Sequence, residues 1–197
     1  MVSDSAKRSL EQIFVRSVSA HLGMADGDQV QVEALTGHRG ETIEEKQFYI
    51  LTIANFFFKV LVIFHTQPDE KTSVYFSRPE SGQISGQSVG QTAGGLGFSE
   101  VFPELCNLCC GAMNRELGRY FHHLGMSTPD CLNRECLVFL DLLRPAYRQS
   151  FRIVINEDVR LHATLCVCAY QALDFRWDAP CPSADHSAPE TGVLELF

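Results

Sequence analysis

Apolar residues recur along this chain with two periods, and the switches between them predict the order of its elements. From Ser5 to Leu22 the spacing is helical. Leu10, Ile13, Phe14 and Val18 fall near one side, Leu22 lies at its edge and Ser17 interrupts the face. Packing is the plain role of such a helix. Asp26 to Glu45 is polar, with a short strand predicted around Val30 to Leu35. Phe48 to Ala54 and Phe57 to His65 are then dense in Ile, Phe and Val, the residues that suit a pleated, half-buried surface. They predict two strands that turn near Asn55 and form a hairpin under the helices.

Arg78 to Gly97 is rich in Gly, Ser and Gln and predicts a mobile loop. A surface insertion is the plain account of it, and a flap over a docked partner the sharper one. Helical spacing returns at Ser99, a plausible N-cap with Glu100 in the first turn. Pro103 is tolerated there because the early N–H groups have no intrahelical partner. Phe102, Leu105, Cys106, Cys109, Cys110, Met113, Leu117, Tyr120, Phe121 and Leu124 collect on a broad apolar side suited to packing on a sheet. Beyond Pro129, strands are predicted at Cys136 to Leu143, Phe151 to Asn156 and Val159 to Tyr170, the last with the alternation of a half-buried strand. From Asp178 onward Pro, Ser, Asp, Glu and Ala dominate, the composition of a disordered tail. The sum is an α+β fold, two main helices packed on a mixed or antiparallel β-sheet, in one domain over 1–177 with an acidic tail over 178–197.

The second helix also carries the candidate chemistry. At about 100° per residue, Glu100, Glu104, Asn107, Gly111, Asn114 and Gly118 fall within an arc of roughly 80°. A helix starting at Pro103 would take Glu100 off that face. Solvated surface is the plain reading of an outward carboxylate and amide one turn apart. The glycines argue for more, since Gly111 and Gly118 each cost about 1 kcal/mol relative to Ala in a helix. A stripe without side chains lets another backbone approach closely.

Charge and composition narrow the function classes. A length of 197 residues with 45% apolar content suffices for a sizeable core. The formal net charge of −8 excludes a nucleic-acid partner, whose phosphates demand a basic surface, and suits a protein partner that presents a lysine. Phe48 to Phe64 is shorter than a membrane span and is interrupted by Asn55 and Lys59. With no apolar h-region after Met1, the expectation is a cytoplasmic protein without membrane insertion. Eight cysteines then read as free thiols. Cys106, Cys109 and Cys110 lie on the apolar helix side as small hydrophobes, and neither Cys131 with Cys136 nor Cys166 with Cys168 has a zinc spacing, so no metal is expected. His122 and His123, read as helical, point about 100° apart and suit a helix C-terminus better than a shared site. No nucleophile elbow, phosphate loop, dinucleotide fingerprint or zinc-protease helix is present.

The run Glu104-Leu-Cys-Asn107-Leu-Cys-Cys-Gly111, followed after Asn107 by twenty-one residues and then Pro129, resembles the signature of the CheC/CheX/FliY chemotaxis phosphatases. Its single copy is similar to CheX rather than to the two-copy CheC arrangement. The resemblance implies a CheX-like fold and removal of the phosphoryl group from the aspartate of a CheY-like response regulator. It implies Asn107 and Glu104 as catalytic residues, the amide holding the attacking water and the carboxylate pairing with a lysine of the regulator. Glu100, Gly111, Asn114 and Pro129 would contact the partner. No cofactor of its own is implied, because the regulator brings its Mg2+. Two alternatives use the same helix face: a non-catalytic adaptor that binds a regulator or a flagellar switch component, and a structural subunit whose face from Glu104 to Gly118 is the contact of a homodimer.

Overall fold

In the computed structural model the described residues are 1–35, 43–77 and 95–179. The chain opens on α1, Asp4–His21, whose N-terminus is capped by Ser3, its hydroxyl accepting from the Ala6 N–H at 3.0 Å. Ser17 is buried within the apolar face instead of interrupting it. Strand β1, Val30–Ala34, precedes the hairpin of β2, Gln47–Ala54, and β3, Phe58–Thr66. Asn55 accepts from the N–H groups of Phe57 and Phe58 and so shapes the turn, as its position in the sequence suggests. A short helix that the sequence pattern does not announce, α2, Glu70–Tyr75, is capped by Asp69.

The second main helix, α3, is Phe98–Gly118. It begins after Gly97 and not at a Ser99 cap, and Glu100 reaches back to accept from the Gly97 N–H at 3.1 Å. Because the helix starts ahead of Pro103, Glu100 stays on its face. The chain leaves the helix before His122 and His123, contrary to the helical reading; both are exposed, and His123 has a φ of 58°. Two short strands follow, β4 (Gly125–Met126) and β5 (Asp130–Asn133), both at the outer edge of β2.

One expected strand is corrected. Cys136 to Leu143 is part of a 3-10 helix, η1, Arg134–Leu143. The register supplies the reason: Asn133 stands opposite Gln47, the first residue of β2, so a strand continued past Asn133 would have no ladder to join. The chain coils instead. Strands β6, Tyr147–Ile155, and β7, Val159–Ala169, then complete a seven-stranded sheet of order β1-β6-β7-β3-β2, with β4 and β5 both on the far side of β2. Every pairing in it is antiparallel.

Alternation sorts the strand residues onto two faces. Leu51, Ile53, Val60, Val62, Phe64, Phe151 and Leu165 join Phe14 of α1 and Phe102 of α3 in the main core. The other face holds a smaller cluster, where Leu140 of η1 rests on Phe48, Leu61, Ile63 and Cys166. After β7 the chain crosses back over the helices. Phe175 packs on Tyr120 and Phe121, the Trp177 N–H donates to Ser9 Oγ at 2.9 Å, and the Trp177 indole donates to Glu116 at 2.8 Å. The loop expected over 78–97 lies outside the described residues except for its last three positions, as does the expected tail beyond Ala179. The apolar stretch from Phe48 to Phe64 is a hairpin, and no helix among the described residues is long and apolar enough to cross a membrane.

Beside η1 the second face turns polar. His65 is buried, with Nε2 2.9 Å from Thr164 Oγ1, and its strand neighbour His162 places Nδ1 2.5 Å from Glu45 Oε1. Burial pushes the His65 imidazole down to about 4. The unfolded chain therefore takes up a proton as pH falls below about 6.5, while the folded chain does so only near 4. Stability should drop across that window by up to about 3 kcal/mol and level off below it. Urea unfolding of the wild type and of His65→Gln, compared at several pH values, checks this: the variant should lose this part of the slope.

Candidate functional site

Helix α3 turns its Cys106, Cys109 and Cys110 side wholly inward. Burial pushes these thiols up, Cys109 to about 12, so they remain protonated packing groups and are not nucleophiles. The opposite side of the helix faces away from the sheet. Glu100 and Glu104 are exposed there and Asn107 is half-buried, with Glu104 and Asn107 one turn apart on neighbouring positions. Among the described residues, neither the Glu104 carboxylate nor the Asn107 amide has a hydrogen-bond or ion-pair partner. They form an unspent anion and an unspent donor–acceptor pair on a rigid element.

The remaining stripe residues differ in what they offer. Glu100 already serves the start of the helix through Gly97. Asn114 is half-buried, and its Oδ1 is shielded from solvent without a partner among the described residues. Pro129 sits just ahead of β5, whose Cys131 lies by the Tyr49 hydroxyl; the Tyr49 ring in turn stands edge-on to Phe102 of α3, at 5.5 Å between centroids. The proline therefore lies on the sheet edge, between the β4 and β5 segments that run along β2, the strand on which α3 packs. Sequence reasoning passed over Leu108, which is exposed at the border of the stripe, and Arg115, which lies along it. The signal was there in the 3.6-residue period, since Leu108 falls about 60° outward of the apolar arc.

Gly111 and Gly118 stand in open surroundings. A Cβ on it would meet only the Arg115 guanidinium, at 3.9 Å, and one on Gly118 would meet nothing within 4 Å. The chain's own packing therefore needs neither glycine. Gly111→Ala should stabilise the protein by up to about 1 kcal/mol, read as a rise of a few degrees in Tm. If the bare stripe serves a partner, the same substitution weakens that partner's binding, and calorimetry on the one variant measures both effects.

A cleft of about 880 Å3 opens elsewhere, near the Glu45–His162 pair, with Glu44, Arg152 and Arg160 on its walls. Its charges of opposite sign stand close together, and no group of three or more metal-ligating side chains that could hold an ion occurs among the described residues.

No protein-family model matches the sequence, and no curated protein matches it. Solved structures do. The chain superposes on the chemotaxis protein CheX of Vibrio vulnificus with a TM-score of 0.52 at 10% identity, over 80% of this chain and 98% of that one. In fold, the chain is CheX-like. Matches to CheX of Desulfovibrio desulfuricans (TM-score 0.44, 9% identity, 80% of this chain and 98% of that one) and to the CheX–CheY–BeF3–Mg2+ complex of Borrelia burgdorferi (TM-score 0.47, 7% identity, 82% and 96%) are looser. The CheX-like fold bears out the α+β expectation and gives the Glu104–Asn107 helix a scaffold of the kind its motif resembles.

Proposed function

We propose that this CheX-like protein removes the phosphoryl group from the aspartate of a CheY-like response regulator in chemotaxis signalling. The observation that carries the reading is the Glu104–Asn107 pair, one turn apart on the outward face of α3 and without partners among the described residues, in a chain of CheX-like fold. An amide can accept and donate hydrogen bonds to a water without taking its proton, so Asn107 would position the water in line with phosphorus. Glu104 would pair with a lysine of the regulator and set the register of docking. The acyl phosphate is already reactive, and the metal that neutralises its charge belongs to the regulator. This chain then needs neither a nucleophile nor a cofactor.

Exposed Leu108 and the bare Gly111 would let the regulator backbone seat against the helix, with Asn114 and Pro129 at its margins. The test is decay of phosphate from acetyl-phosphate-labelled CheY-like regulators of the source organism with substoichiometric amounts of this protein. Accelerated, multiple-turnover loss supports the reading. Stoichiometric binding without a shorter phosphate lifetime replaces it with the adaptor role.

A further inference from the structure

Arg115 is a cation on the outward stripe that the fold itself leaves unused. A basic residue in the last turn of a helix ordinarily serves the C-terminal carbonyls. This guanidinium runs away from them, because helical side chains lean toward the N-terminus. Its Nη1 would stand 3.9 Å from a Cβ added to Gly111. The charge is thus carried back from position 115 to the level of Gly111, about 6 Å beyond Asn107 along the axis. The adjacent carboxylate, Glu116, is spent on the Trp177 indole at 2.8 Å and on Arg119 at 3.3 Å. On the α1 side Arg115 meets His21, whose imidazole is held below its ordinary value by burial and by the Arg115 charge. Among the described residues Arg115 is exposed and has no ion-pair partner.

The stripe therefore carries its charges in order, with the Glu104 carboxylate on one side of Asn107 and the Arg115 guanidinium on the other. A phosphoryl group docked at Asn107 would be repelled by the first and attracted by the second. A guanidinium also keeps its charge at any working pH, and its fork of N–H donors matches phosphoryl oxygens. We propose that Arg115 binds the phosphoryl oxygens of the phosphorylated regulator and stabilises their charge as the group passes to water, an inference that rests on the phosphatase reading. In that step the oxygen of the water held by Asn107 bonds to phosphorus. The bond from phosphorus to the aspartyl oxygen breaks, and its electron pair stays on the regulator's carboxylate. Both protons of the water remain on the inorganic phosphate released. Arg115 gives up no proton and acts only on the charge of the transferring oxygens. The same contact sets specificity, since it favours the phosphorylated regulator over the unmodified one.

The test uses the full chain with Arg115→Ala, Arg115→Lys and, as a control for general charge, Arg119→Ala, each checked for folding by thermal melt. Turnover of the acetyl-phosphate-labelled regulator is measured beside titrations with the beryllofluoride-activated and unmodified forms of the same regulator. Arg115→Ala should lower kcat about tenfold or more and cut the preference for the activated form by a similar factor, with binding of the unmodified form kept. Arg115→Lys should recover part of both, because it restores the charge without the fork. Arg119→Ala should change neither. Either a wild-type rate or an undiminished preference for the activated form in Arg115→Ala would overturn the assignment while leaving the phosphatase reading intact. An equal loss in Arg119→Ala would do the same, reducing the effect to overall charge. Failure of the phosphatase reading shows separately, as a wild type that does not shorten the phosphate lifetime, and it takes this inference with it.

Discussion

Asn107→Ala should abolish the acceleration of regulator dephosphorylation, by about 100-fold or down to the regulator's own decay, while leaving the complex intact. Positioning a reactant is worth orders of magnitude in rate, and a misplacement of about 1 Å forfeits some 100-fold. The Asn107 amide is half-buried on the middle of a 21-residue helix, so its removal leaves a small gap on a face that the core does not use. Glu104→Ala should behave differently, impairing binding and turnover together, because its charge would act on the partner and not on the water. The discriminating measurement pairs the phosphate-decay assay with titration of the beryllofluoride-activated regulator. Equal decay rates for wild type and Asn107→Ala would sink the mechanism whatever the binding curves show.

The largest loss of stability is expected from Phe102→Ala, about 3–5 kcal/mol. Phe102 is fully buried on the inner side of α3, and its ring lies 4.9 to 6.3 Å, between centroids, from Phe98, Phe76, Tyr49 and Phe64. The substitution thus opens a cavity where the helix meets β2, β3 and the segment after α2, and the rings cannot all close on it. Against a total stability of about 5–15 kcal/mol this is a large fraction, read as a drop in Tm of roughly 10 °C. Phe102 stands half a turn from Glu104, yet it faces the core. Activity should therefore fall with the folded fraction and recover at low temperature, whereas loss at Asn107 persists at every temperature. Thermal melts run beside the assay separate the two.

Local patterning was sufficient wherever one element could satisfy itself. The 3.6-residue period of α1 and α3, the β-branched and aromatic runs of β2, β3 and β7, and the Asn55 turn each follow from interactions within a few residues, and each stands where the spacing predicts to within a residue or two, except that α3 ends at Gly118, short of the Tyr120 to Leu124 continuation. The outward stripe was legible for the same reason, because a helix converts spacing into direction. Its detail was not. Whether Glu100 is free or spent on Gly97, and whether Asn114 Oδ1 is exposed or shielded, depends on the start of the helix and on what packs beside it.

The rest required partners distant in the chain. Cys136 to Leu143 has the composition of a strand, and only the end of the β2 ladder opposite Asn133 makes it a 3-10 helix. Trp177 reads as the edge of a polar tail until Ser9 and Glu116, far away in sequence, take up its two N–H groups. His65 and His162, separated by nearly a hundred residues, become neighbours only through the register of β3 and β7. The sequence alone determined the two main helices, the strands β2, β3 and β7 and which side of α3 would face outward, because those depend on local propensity and period. Tertiary structure alone decided where strands stop, which face η1 covers and leaves bare, and which polar groups find partners, because backbone pairing and burial are settled between segments that the sequence keeps apart.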